Sequence, residues 1–319
     1  GAVNLALAVD VGGTKMAAGL VDADGAVRHA ERVPTPRSAD AEVLWTALAD
    51  LVTVVCGKSE SPPVGIGVGC GGPMRWPAGV LSPLNIPAWR EFPLRTRLQA
   101  LAADLCDGGP VRLHNDAICV AVAEHWRGAG RGHGHVLGMV VSTGVGGGLV
   151  LGGRLVDGGR GNAGHIGHVC VDPRGPECVC GARGCLEAIA SGPRTAAWAR
   201  DHGWANPAGE DAATMTADAR AGHPVALAAL QRAGEALGVA IASAAHLCDL
   251  DVVCVGGGLA QAGDLLFGPL RETYAAQARM EFVRAARIVP AALGQDAGLV
   301  GAAALLFEGD SYWAEPSGI

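Results

Sequence analysis

The apolar run Leu5–Val9 is short and is cut by Asp10, which predicts a buried strand with an acid at its end. Gly12-Gly13 turn the chain, and Met16–Val21 predicts a second strand. Asp22-Ala23-Asp24-Gly25 is a turn sequence, after which Ala26–Val33 predicts a third strand, stopped by Pro34 and Pro36. Apolar residues three and four apart over Ala39–Cys56 predict a helix. Lys58–Pro63 reads as loop, Val64–Cys70 as a glycine-interrupted strand, Val111–His114 as a strand and Ala117–Trp126 as a helix.

His135–Val141 opens a second block in the same order: strand, a glycine turn at Gly144, Gly146 and Gly147, then the strand Gly148–Leu151. Val9-Asp10-Val11-Gly12-Gly13-Thr14 and Val141-Ser142-Thr143-Gly144-Val145-Gly146 read as two copies of one device. Two related domains are therefore expected, each opening on a glycine-elbow hairpin, with a ligand cleft between them. Residues 157–192 are rich in Gly, Pro, Cys and His and have little periodicity, which predicts a functional or metal-pinned loop. Pro193–His202 and Pro224–Leu247 predict helices, Asp251–Val255 a strand running into Gly256-Gly257-Gly258, Arg287–Ala291 a strand and Ala297–Phe307 a last helix. Strands alternating with helices place the chain in the α/β class. The expected division is a smaller domain of residues 1–115 plus a C-terminal helix at about 296–319, and a larger domain of residues 116–295 that carries the loop.

Composition narrows the function. The 319 residues are half hydrophobic, with 17% charged and a net charge of −7. Such a chain has a large core, and its acidity argues against a nucleic-acid binder, which needs a basic face. No apolar run reaches the roughly 18 residues that span a bilayer. The start has no basic segment, so no signal peptide is expected and a cytoplasmic location is. Six of the ten cysteines are scattered through apolar stretches, which suits a reducing compartment.

Five places carry candidate chemistry. In Asp10-Val11-Gly12-Gly13-Thr14-Lys15, the glycines let backbone approach an anion, Thr14 and Lys15 supply donors, and Asp10 is placed to hold Mg²⁺ through water. A simple hairpin turn is the alternative. Ser142-Thr143-Gly144-Val145-Gly146-Gly147-Gly148 and Gly256-Gly257-Gly258 are further anion-compatible turns. A Walker loop is excluded, because Val52 stands where the first glycine would be required before Gly57-Lys58-Ser59. Gly67-Val68-Gly69-Cys70-Gly71-Gly72 leads into Pro73 instead of a helix, so it is not a dinucleotide fingerprint. In His114-Asn115-Asp116, a strand gives way to a helix. Asp116 is either a helix cap or a general base for a substrate hydroxyl. Finally, His168, Cys178, Cys180 and Cys185 have the donor set of a closed tetrahedral zinc site, with no position left for catalysis.

Asp10–Lys15, Gly67–Pro73, Asn115-Asp116, Ser142–Gly148, Gly161–His168, the cysteine cluster, Cys185-Leu186-Glu187 and Gly256–Gly258 together resemble the ROK family of sugar kinases and repressors. The likeness runs in order along nearly the whole chain. It implies a two-domain, actin-like ATPase (ribonuclease H-like) fold with an interdomain cleft. It also implies ATP-dependent phosphorylation of a hexose at its 6-hydroxyl, with ATP, Mg²⁺ and a structural Zn²⁺. It makes Asp116 the catalytic base and Gly72, Asn115, Asp116, His168 and Glu187 the sugar contacts. Asp10, Gly12, Gly13, Thr14, Lys15, Thr143, Gly144, Gly256, Gly257 and Gly258 fall to the nucleotide, and a homodimer is implied. One position departs: the family's motif has Glu where this chain has His165. A neutral imidazole donates one hydrogen bond and accepts one, whereas a carboxylate accepts from two hydroxyls. The expected substrate is thus glucose or a glucose-like amino sugar, kanosamine or an N-acetylhexosamine, bound in part by His165. The alternative activity is sugar-sensing repression, but strand formation near Leu5 leaves no room for a preceding helix-turn-helix module.

Overall fold

The structure is a computed structural model that describes residues 3–76 and 78–313. The chain divides into two compact units. The first comprises residues 1–131, 148–163 and 295–319, and the second residues 132–147 and 164–294.

The first unit begins with β1 (Leu5–Val11), β2 (Lys15–Asp22), β3 (Val27–Pro34), α1 (Ala41–Cys56) and β4 (Ile66–Cys70). Three two-residue strands follow, β5 (Met74–Arg75), β6 (Val80–Leu81) and β7 (Phe92–Pro93). Then come α2 (Leu94–Leu105), β8 (Val111–Asn115) and α3 (Asp116–Arg127). The main sheet has the order β3-β2-β1-β4-β8, with β1, β4 and β8 parallel and β1-β2-β3 an antiparallel meander. Near-continuous apolar sequence in β1 and β4 matches burial on both faces. Leu44, Leu48, Leu51 and Val55 of α1 and Leu94, Leu98 and Ala102 of α2 join one core on the sheet.

The second unit is built around β9 (Val136–Val141). β10 (Val145–Leu151) leaves it and pairs at its end with β11 (Arg154–Leu155), residues that belong to the first unit. The remaining elements are α4 (Leu186–Ala190), α5 (Gly192–Asp201), α6 (Ala212–Arg220), α7 (Pro224–Cys248), β12 (Val252–Gly256), α8 (Asp264–Gln277), α9 (Glu281–Ala285) and β13 (Arg287–Pro290). β9, β12 and β13 are parallel neighbours. α10 (Ala297–Phe307) and α11 (Gly309–Tyr312) return to the first unit, where α10 packs on β1, β4 and α3.

The mixed α/β class and the principal strands are those expected. Three features differ. The boundary expected at residues 115 and 116 falls instead after α3, because α3 packs on α10 and β4 within the first unit. The C-terminal helix expected at about 296–319 is two helices, α10 and α11, and residues 314–319 lie outside the described residues. α7 is long and apolar enough by composition to cross a membrane, although its sequence holds no strictly apolar run of that length. It packs along α8 and against α4, α5 and α6, which is the setting of a core helix.

Candidate active site

In the first unit, β1, β4 and β8 run parallel, so their C-terminal ends lie at one edge, where open α/β sheets bind ligands. Asp10 of β1 is in register with Gly69 of β4, and Gly69 with His114 of β8. Gly69 keeps this edge close-packed: a Cβ would stand 3.3 Å from Cα of Asp116 and 3.2 Å from Sγ of Cys119, so either neighbour would have to give slightly. Burial, and then the Asp116 carboxyl, push Asp10 up to about 7 against the opposing pull of Lys15 and Arg32. Burial likewise raises Asp116, although its Oδ1 accepts from the Ala117 N–H at 2.8 Å. Two acids at the same edge of the sheet, one on β1 and one just after β8 with β4 between them, therefore hold protons more tightly than free carboxyls do.

Asn115 caps α3, its Oδ1 accepting from Ala117 and Ile118 at 2.9 and 3.3 Å. That leaves the cap role to Asn115, and Asp116 occupies the first helical turn. Gly12, Gly13, Thr14 and Lys15 form the β1–β2 turn, with Thr14 and Lys15 exposed and the Gly12 N–H bonded to the Lys15 carbonyl at 3.0 Å. Gly72 follows β4, and its carbonyl accepts from the Leu84 N–H at 3.3 Å.

The second unit brings the loop cluster together. The donor atoms of His168, Cys178, Cys180 and Cys185 all lie within 4.8 Å of one another. Cys178 Sγ is 3.6 Å from Nδ1 of His168, and the Sγ atoms of Cys180 and Cys185 are 3.6 Å apart. Ligands about 2.3 Å from a tetrahedral centre stand roughly 3.8 Å from each other, so the donor set and its spacing fit one zinc ion. Burial, and then the crowding thiols, push Cys185 up to about 12. A cation's charge would reverse that crowding.

His168 also faces Glu187. Its Nε2 is 3.9 Å from Oε2 of Glu187, whose Oε1 accepts from the Val145 N–H at 2.8 Å. His165 is half-buried beside them, its ring centroid 6.3 Å from that of His168. Its Nε2 is buried and meets no hydrogen-bond partner among the described residues. Burial, and then the neighbouring His168, hold its pKa below the ordinary value against the opposing pull of Glu187, which favours the uncharged ring, a donor and an acceptor.

A cavity of about 750 Å³ lies within the second unit. Thr143 from the β9–β10 turn and Gly258 after β12 line it, together with Pro193, Arg200, Thr216 and Arg220 from α5 and α6. Its volume suits a nucleoside-sized ligand. Gly257, at φ +93°, turns the chain against the Val141 backbone, and Gly258 has open space where a side chain would stand. Gly144 and Gly256 support these turns without lining the cavity.

Sequence reasoning missed the α5 and α6 wall of this cavity, since Arg200 and Arg220 look like any solvated helix cation. It also missed Asn85, which presses on Gly13, and the partner of His114, Asp157.

The sequence matches the ROK family over residues 6–308. It is 36% identical over 316 residues to a glucokinase of Thermotoga maritima, an alignment that covers 95% of this chain and 97% of that protein. It is 40% identical over 308 residues to an N-acetylmannosamine kinase of Escherichia coli O139:H28, covering 95% of this chain and 98% of the relative. Among solved structures it resembles a ROK family glucokinase from Streptomyces griseus in complex with glucose and AMPPNP, at a TM-score of 0.84 and 32% identity, covering 95% of this chain and 99% of the other.

Proposed function

The chain belongs to the ROK family, and from that premise we propose that it is an ATP-dependent sugar kinase acting on the 6-hydroxyl of glucose or a glucose-like amino sugar. Asp116 carries this assignment: it is an acid in the first turn of α3, at the edge where the parallel strands end, and burial raises its pKa and with it its strength as a base.

Asp116 takes the proton of the attacking hydroxyl, and Asn115 bonds a neighbouring hydroxyl. Asp10 would hold Mg²⁺, which would supply positive charge beside the phosphates. Donors of the Gly12–Lys15 and Thr143–Gly144 turns spread the charge that develops on the transferred phosphoryl group. The cavity beside Gly258 takes the nucleoside, with Gly256 and Gly257 shaping its wall. Gly72, His165, His168 and Glu187 contribute to the sugar site. His168, Cys178, Cys180 and Cys185 hold one structural zinc ion, which supplies a rigid cross-link and no catalytic step.

His165 bears on which sugar is used. Its unpartnered Nε2 offers one hydrogen bond where a carboxylate would accept two, which favours an amino or N-acylamino sugar over plain glucose. The deciding experiment measures ATP consumption with glucose, N-acetylmannosamine, N-acetylglucosamine and kanosamine. An amino sugar is expected to give the highest kcat/KM, and His165→Glu to move preference toward glucose. No sugar-dependent consumption across the panel would overturn the kinase assignment.

A further inference from the structure

β8 is the edge of its sheet among the described residues, so backbone groups on its outer side have no neighbouring strand there. Side chains take their place. The Trp76 Nε1–H donates to the Leu113 carbonyl at 3.1 Å, and the Asn115 backbone N–H donates to Nδ1 of His114 at 2.9 Å. His114 is fully buried. Because its Nδ1 accepts, its ring proton sits on Nε2, which donates to Oδ1 of Asp157 at 2.7 Å. Oδ2 of Asp157 accepts from the Trp313 Nε1–H at 2.8 Å. Trp76 and Trp313 stack on the imidazole, with centroids 5.1 and 6.4 Å from it. All of these groups belong to the first unit.

The chain from Trp313 through Asp157 and His114 ends on the peptide N–H of Asn115, one residue before Asp116. We propose that His114 and Asp157 are positioning residues for the base: they fix the His114–Asn115 peptide, the last one within β8, and so set the direction in which the chain enters α3 and the Asp116 carboxylate leaves it. This rests on the assignment of Asp116 as the base. The helix does not need His114 for capping, since the Asn115 side chain already takes the first free N–H groups. Packing alone would be served by an apolar ring, whereas a buried imidazole–carboxylate pair carries a desolvation cost. What the pair adds is a fixed ring tautomer and a fixed peptide plane. A small displacement of a reacting group lowers the rate without a matching loss of binding.

The test compares kcat and both KM values, with thermal unfolding recorded for every variant. Asp157→Asn and His114→Gln are expected to lower kcat about 10- to 100-fold, with the KM for ATP and for sugar changed by less than about threefold. His114→Asn, whose side-chain oxygen replaces Nδ1 as acceptor, is expected to keep more of kcat than His114→Gln. Trp313→Phe keeps the stacking ring and loses only the N–H, so it serves if a His114 variant does not fold. It too is expected to lose kcat at an unchanged unfolding temperature. Wild-type kcat in Asp157→Asn and Trp313→Phe, or a loss of kcat only in proportion to lost folded protein, would overturn the positioning role. Asp116→Asn is run alongside. Wild-type turnover there defeats the base assignment itself, whereas an inactive Asp116→Asn beside fully active Asp157 and Trp313 variants defeats the positioning proposal alone.

Discussion

Glu187 holds the Val145 N–H through Oε1 at 2.8 Å while its Oε2 stands 3.9 Å from Nε2 of His168. One carboxylate thus joins the β9–β10 turn to the metal loop inside the second unit. Gly144 makes room for it, since a Cβ there would lie 2.6 Å from Oε1. Gly144→Ala should displace Glu187 and raise the KM for sugar about 10-fold or more. Steady-state kinetics at saturating ATP checks this, and an unchanged KM would separate Glu187 from the sugar.

Asp116→Ala should lower turnover about 100- to 10,000-fold, the range a general base contributes. Sugar binding, followed by calorimetry, should be largely kept. Near-normal turnover would leave Asp116 a structural acid.

Asp10 has an opposite signature, in stability. Its folded pKa is about 7 against an ordinary 3.8, so the native state keeps a proton that the unfolded chain releases between those values. The contribution of this group therefore falls as pH rises from about 4 to about 7 and is level above that. Asp10→Asn removes the titration. It should match the wild type in stability near pH 4 and exceed it at pH 8 by roughly 2 kcal/mol once partial exposure is discounted, unfolding at a higher temperature there. Turnover should fall at the same time. Parallel unfolding curves for the two proteins across this range would show that Asp10 is not held protonated.

Metal analysis should return one zinc per chain. Chelation, or Cys178→Ser, should lower the unfolding temperature and expose the loop from His168 to Cys185 to protease, while far-ultraviolet circular dichroism of the helices persists. A fully stable chain without bound metal would rule out the ligand set.

Gly258 borders the cavity, and a Cβ at this position would have nothing within 4 Å of it. Gly258→Ala should be tolerated. Gly258→Trp should fill the cavity and raise the KM for ATP at least about 10-fold, leaving sugar affinity in place. Equal effects on both substrates would place the nucleoside elsewhere.

The sequence reveals local devices and hides remote ones. The candidate metal-binding group can be picked out because His168 and the cysteines lie within one loop, and Asp116 because a strand visibly ends before it. α2 is hard to see, since Leu94, Leu98 and Ala102 make a thin stripe among Arg, Gln and Asp residues. Asp157 is 43 residues from His114, and Trp313 is 156 from Asp157. Nothing in spacing or composition pairs such residues; only the position of β8 at the edge of the sheet makes their bonds necessary.

The first unit is assembled from three stretches of chain, the last of which supplies α10 against β1 and β4. During synthesis, the ribosome releases that helix only after the whole second unit has emerged. Until then, the parts of β1, β4 and α3 that this helix will cover are bare, so a nascent chain stalled before Ala297 should need chaperone shelter, and the second unit should become protease-resistant first.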